Sequence, residues 1–224
     1  MTTYRKVVLA NDQIYHIFNR GVERRNIFTT KWEFQRGLDV LKYYRFSNLP
    51  FRYSSLLKLP QEDREEILSK INKNNNKLVE IITFCLMPNH FHLLLKQLQS
   101  DGIKRFIANF SNSYTKYFNT KHERTGPLFE GIFKAILVET DEQLVHLSRY
   151  LHLNPTSSFI ISAEDLETYQ WSSFSEYLGK NSEHICDKDS ILQLFSSTED
   201  YHKFVLDQVS YAQDLDKIKH LAIE

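Results

Sequence analysis

Two β-prone runs separated by one turn signal constrain this chain more than anything else in it. Leu78 to Met87 reads Leu-Val-Glu-Ile-Ile-Thr-Phe-Cys-Leu-Met, Pro88-Asn89 breaks it, and His90-Phe91-His92-Leu93-Leu94-Leu95 follows at once. That pattern is a strand, a turn and a second strand. Side chains alternate between the faces of a strand, so His90 and His92 project together while Phe91, Leu93 and Leu95 pack behind them. Two imidazoles on one rigid face make a platform for a divalent metal ion. With nine histidines in 224 residues, chance supplies about 0.4 such spacings. The spacing alone therefore does not separate a metal site from polar residues at a sheet edge, and it is the surrounding strand pair that raises the metal reading.

A hydrophobic share of 42% provides a sizeable core for one domain of ordinary size, with room for an appendage. No run approaches the roughly 18 apolar residues that span a bilayer, and Met-Thr-Thr-Tyr-Arg-Lys lacks the apolar core of a signal peptide. A cytoplasmic location with no membrane partner is the expectation. Cys85 and Cys186 stand alone, without metal-type spacing or a disulfide framework, and read as reduced thiols. Net charge is zero, but residues 160–224 carry five Lys/Arg against thirteen Asp/Glu, leaving twenty-three against fifteen in residues 1–159. The segments thus differ as −8 and +8. The basic part holds the paired histidines, and local potential rather than the whole-chain sum attracts a phosphate backbone.

Along the chain, Gln13 to Phe18 is β-prone and ends in the turn signal Asn19-Arg20-Gly21. Thr30 to Phe46 has the apolar spacing of an amphipathic helix, with Thr29 or Thr30 as cap. Residues 47–77 read as a peripheral or mobile insertion with a charged helix near Gln61–Asn72. After the paired strands, Ile103 to about Lys121 is helical, and Leu128–Val138 is a strand candidate. Thr140-Asp141-Glu142-Gln143 matches a capping box that opens a helix to Asn154, stopped by Pro155. Short helices are expected near Ser190–Phe195 and Glu199–Gln208. The order predicts an α+β fold, an antiparallel sheet with helices packed on it, over residues 1–160, followed by a helical appendage at 161–224.

Tyr150 and Asn154 lie four residues apart on that capped helix, so a phenol and a carboxamide project side by side. Tyr15/Asn19 and Tyr44/Asn48 share the spacing, and Tyr114 and Tyr117 are further tyrosines of interest on their own helix. By themselves Tyr150 and Asn154 read as a packing tyrosine and a polar helix end before proline.

The strings Tyr15-His16-Ile17-Phe18-Asn19-Arg20-Gly21, Cys85 to Leu94, Ser113-Tyr114-Thr115-Lys116-Tyr117-Phe118-Asn119, Gly131-Ile132-Phe133-Lys134-Ala135, Arg149-Tyr150-Leu151-His152-Leu153-Asn154-Pro155 and Trp171-Ser172-Ser173 occur in fixed order. From about residue 13 to 180 the chain resembles the REP-associated tyrosine transposases, relatives of the single-tyrosine transposases of the HUH nuclease superfamily. The resemblance implies a ferredoxin-like HUH core with His90 and His92 as metal ligands and Tyr150 as nucleophile. Asn154 stands where the insertion-sequence relatives carry a ligating glutamine. It is one methylene shorter, so its contact with the metal is direct or through water.

The same resemblance implies Mg2+ or Mn2+ as cofactor and single-stranded hairpin DNA as partner, cleaved and rejoined through a 5′-phosphotyrosine. It also implies a nucleoid-associated protein acting as monomer or homodimer. From charge and position, Arg20, Lys104, Arg105, Lys116, Lys121, Arg124 and Lys134 are the cations assigned to the DNA path. Two rivals remain at this point. A metal-dependent hydrolase would keep its activity without the Tyr150 hydroxyl, and a domesticated hairpin-binding protein would form no covalent adduct.

Overall fold

The computed structural model describes residues 7–181, 184–209 and 212. In chain order the first elements are strand β1 (Ile14–Arg20), helices α1 (Lys31–Tyr44), α2 (Tyr53–Leu56) and α3 (Gln61–Asn74), and strands β2 (Val79–Met87) and β3 (His90–Gln97). Helix α4 (Gly102–Lys121), strand β4 (Lys134–Val138), the long helix α5 (Asp141–Ser157) and the short helices α6 (Phe174–Tyr177), α7 (Asp189–Leu192) and α8 (Thr198–Leu206) follow. The strands form one antiparallel sheet in the order β2-β3-β1-β4. With α1 and α4 as the crossovers this is the ferredoxin-like arrangement, and the fold class is α+β as the sequence predicts.

Both faces of the sheet are covered, and β3 shows why. Phe91, Leu93 and Leu95 point to one face, where they bury with Tyr15, Ile17, Phe106 and Phe110 under α1 and α4. Leu94 points to the other, where it joins Cys85, Met87, Leu151 and Leu153 under α5. Gly37 permits the close approach of α1, because a Cβ there would sit 2.8 Å from the Phe28 ring. In an open helix interior the same glycine would cost about 1 kcal/mol against alanine. Helix α3 lies at the periphery and buries no side chain fully, though Ile67, Leu68 and Ile71 pack half-buried against the core.

The C-terminal segment packs directly onto α5. Phe174, Tyr177, Tyr201 and Val205 share the core of Leu144 and Leu151. At its centre the buried His152 ring meets Ser173 Oγ at 2.8 Å and the Tyr201 hydroxyl at 2.7 Å. Trp171-Ser172-Ser173 runs beside β2: Leu86 N–H donates to Trp171 O (2.8 Å) and Ser173 N–H to Phe84 O (3.0 Å). The outer edge of β2 is thereby partly covered, which blunts its tendency to pair with another chain.

Local boundaries differ from the sequence reading in places with clear causes. The strand expected over Leu128–Val138 is only Lys134–Val138. Leu128 and Phe129 are core residues joined to the sheet by one bridge, Gly21 to Phe129, and Gly131 then turns the chain at φ +45°. Pro155 does not stop α5, which continues to Ser157. A proline removes one N–H and crowds one carbonyl; here it stands in the last turn, and Ser158 N–H still reaches Asn154 O at 3.1 Å. Thr140 Oγ1 accepts from Gln143 N–H at 3.2 Å as a cap should, but the Gln143 side chain reaches back one residue further, to Glu139 N–H at 2.9 Å. The first strand runs on through Asn19 and Arg20 rather than turning there.

Candidate active site

The alternation of β3 delivers His90 and His92 to the α5 face of the sheet, as its period requires. Their rings stand 4.9 Å apart, centroid to centroid, and nearly perpendicular. Register then adds a residue that the sequence reading did not assign to the site. Phe18 on β1 lies opposite His92, so His16 is its diagonal neighbour on the same face. His16 Nε2 meets His92 Nδ1 at 2.9 Å, and the two rings stack 5.1 Å apart. The strand period of Gln13–Phe18 carried this signal only in part, because pairing with β3 is needed to bring the two rings together.

Helix α5 lies across this face and supplies the rest. Tyr150 sits with its ring edge-on to His92 (5.6 Å) and His16 (6.3 Å). The residue remains 42% exposed despite these ring contacts. One turn on, Asn154 is buried beside the His90 ring, close enough for its carboxamide to act on the imidazole. Helix and strand pair, distant in sequence, thus bring a phenol, a carboxamide and three imidazoles together on one face of the sheet. Tyr114 has no comparable access: it is fully buried and its hydroxyl donates to Ile27 O at 2.5 Å. Burial pushes its phenol far above the ordinary range. Tyr117 lies beneath the Arg36 guanidinium, which is 4.6 Å from its ring.

Burial also sets the charge state of the histidines. It lowers His16 to about 4 and is the first cause of the lowering at His90, to which Arg20 adds and against which Asn154 acts. His92 lies well below 6.5, through burial first and then through His90 and His16. The rings are therefore neutral near pH 7, the state in which imidazole binds metal. Their Nδ1 atoms are occupied: His90 Nδ1 contacts Asn89 Oδ1 at 2.5 Å, and His92 Nδ1 contacts His16. When His92 donates from Nδ1, its Nε2 keeps the lone pair that ligation requires. Among the described residues no group of three His, Cys, Asp or Glu side chains is arranged to hold a metal. Two imidazoles and a carboxamide oxygen are donor types that suit a lightly held divalent ion.

The seven cations assigned to the DNA path divide between two regions. Lys134 stands over the Phe18 ring (5.7 Å), which itself stacks near His16 and His92. Arg20, opposite His90, pairs with Glu130 at 2.6 Å. The other five lie on α4 or in the loop that follows it. Lys104 pairs with Asp101 at 2.7 Å, and Arg124 donates to Asn119 Oδ1 at 2.7 Å. Lys121 is committed to the buried Glu33 at 2.6 Å. Burial would raise that carboxyl, but hydrogen bonds from Lys121, Thr29 and His122 outweigh it and hold it at about 2. Arg105 and Lys116 line a separate groove beside α1. Among the described residues no helix is long and apolar enough to cross a membrane.

The geometry has counterparts among known proteins. A solved structure described as a REP-associated tyrosine transposase bound to a REP hairpin aligns over 80% of this chain and 87% of its own, with a TM-score of 0.51 and 14% identity. At that identity the likeness is one of fold. No curated protein matches the chain. The family model of IS200-like transposases matches residues 10–154, which takes in the four strands and the histidine pair and ends at Asn154, so the chain belongs to the IS200-like transposase family.

Proposed function

We propose that this transposase cleaves and rejoins single-stranded DNA at hairpin-forming repeats, with Tyr150 as nucleophile. The observation that carries the reading is that the half-exposed Tyr150 ring on α5 lies against His92 on β3, with Asn154 one turn on beside His90. The REP hairpin in the structure of similar fold supports the substrate class. His90, His92 and Asn154 would hold Mg2+ or Mn2+, which when bound supplies charge stabilisation at the scissile phosphate.

In the cleavage step the Tyr150 oxygen bonds to phosphorus as the bond to the 3′ oxygen breaks in line, and the phenol proton passes to water. The products are a 5′-phosphotyrosine and a free 3′-hydroxyl. A phenol ionises near about 10 and is a weak nucleophile at neutral pH, so alignment of the phosphate against its oxygen is the protein's main contribution. Lys134 and Arg20 flank the histidines and are the cations positioned to hold the neighbouring backbone. Because the phosphotyrosine conserves the phosphodiester bond, the 3′-hydroxyl of another strand can displace it and reseal DNA without a nucleotide cofactor.

The test is a denaturing-gel adduct assay with end-labelled hairpin oligonucleotides taken from the DNA flanking the gene. A covalent protein–DNA band that needs Mg2+ or Mn2+ and vanishes in Tyr150→Phe is the expected result. A metal-dependent cut that persists in Tyr150→Phe makes the protein a hydrolase. Hairpin binding with no adduct under any metal makes it a binding protein.

A further inference from the structure

On the far side of the sheet from the histidines, α1, α4 and the segment 47–54 enclose a groove of about 1040 Å³. Its charge is one-sided: Arg36, Arg52, Arg105, Lys116 and Lys121 line it and no carboxylate does. Lys121 is neutralised by Glu33 and Arg105 shares the field of Asp101, but Arg52 and Lys116 are exposed and, among the described residues, neither stands in an ion pair. Clustering like charges without acidic partners costs self-repulsion, which a bound anion relieves.

Two further sets of residues narrow the ligand. Aromatic rings lie in the same recess: Phe51 is 42% exposed, and Tyr117 is stacked against the Arg36 guanidinium. Asn48, Asn109 and Asn112 add carboxamides, each a donor and an acceptor. Cations for phosphates, flat faces for stacking and amides for base edges together describe a site for nucleotides. The rings select the strandedness, because a base inside a duplex is already stacked on both faces and has none free to lie on Phe51 or Tyr117. The volume lies at the top of the range of about 300–1,000 Å³ that suits drug-sized molecules, so a short run of chain fits better than one small ligand.

We infer that this groove is a second DNA site, separated from the catalytic residues by the sheet, which holds unpaired nucleotides of the substrate between Phe51, Tyr117 and the arginines. The identification of the ligand as DNA rests on the transposase reading. With the two sites on opposite faces, an unpaired segment held in the groove anchors a substrate whose scissile phosphate reaches Tyr150 around the sheet's edge.

The test is fluorescence anisotropy with labelled (dT)12 and with a duplex of equal length. The parent protein is the triple variant His90→Ala, His92→Ala, Tyr150→Phe, which can neither cleave nor hold DNA through the catalytic residues. Adding Phe51→Ala and Arg52→Ala, both at exposed side chains, should weaken (dT)12 binding about tenfold or more and reduce the salt slope by about one. Duplex binding should change by less than about twofold. The proposal is overturned if (dT)12 affinity stays within about twofold, or if the duplex loses as much as the single strand. A melting curve on each protein, and Phe51→Tyr, which keeps a ring and should retain affinity, separate loss of the site from loss of the fold. The catalytic reading stands or falls separately: an adduct in otherwise unaltered protein with no groove dependence removes this inference alone, and groove dependence without any adduct removes the other.

Discussion

His16 is the residue whose replacement interrogates the site most sharply. It accepts a hydrogen bond from His92 Nδ1 in the tautomer that frees Nε2 for a metal, and both rings are almost fully buried. His16→Phe keeps the ring stack and most of the volume but removes the acceptor. The His92 Nδ1–H is then unpaired in a dry site, at a cost of about 1–3 kcal/mol. The ring escapes that cost by moving its proton to Nε2, which blocks the ligand position. Loss of such a supporting partner typically lowers metal affinity about 10–100-fold, or about 1.4–2.7 kcal/mol. The assay is Mn2+ titration by electron paramagnetic resonance, with adduct rates at limiting and saturating Mn2+ as a second readout. His16→Phe should bind Mn2+ weakly and recover rate when the ion is raised, and His16→Gln, whose Oε1 can replace Nε2 as acceptor, should lose much less. Mn2+ affinity within about twofold of the parent protein in His16→Phe would falsify this account of the ring pair.

Three other outcomes follow from the same geometry. Tyr114→Phe should retain adduct formation while losing about 1–3 kcal/mol of stability in urea titrations, because the buried Ile27 carbonyl loses its donor; loss of the adduct with stability intact would move the nucleophile to Tyr114. Stability should fall on acidification: His16 and His152 are lowered to about 4 and about 3, so the unfolded chain takes up protons first, below about 6.5. Each ring then withdraws about 2 kcal/mol between pH 7 and pH 5, and denaturant midpoints equal at the two values contradict the burial argument. EDTA should abolish the adduct and Mn2+ should restore it in the parent protein but not in His90→Ala; an adduct formed in EDTA excludes the role given to the histidines.

Much of this arrangement was readable from local pattern. The alternation of Phe91, Leu93 and Leu95 against His90 and His92 needs only the strand period, and Thr140 with Gln143 marks the start of α5 by backbone hydrogen bonding alone. The helical spacing of Tyr150 and Asn154 fixed their shared face. What it did not fix was the element that face would meet, and that step came from the resemblance. His16 stayed hidden because its partnership with His92 depends on the register of β1 against β3, a pairing across 76 residues. Pattern alone stops α5 at Pro155, whereas a proline in the last turn costs little and the helix runs on. Charge alone groups the seven cations as one set, because it carries no information about which side of a sheet a helix covers, and α4 places Arg105 and Lys116 away from the histidines.

The anchoring of α5 has a consequence for how strands would be exchanged. Tyr150 rides on the same rigid rod as Asn154, and that rod is bolted to the C-terminal layer through His152, Ser148 and Tyr201. The backbone under Tyr150 is fixed with it: a shift of the helix that takes the phenol from the histidines also moves the carboxamide and breaks buried contacts. If Tyr150 carries a DNA end as proposed, exchange proceeds by rotation of its side chain or by travel of the incoming strand, with the helix left in place.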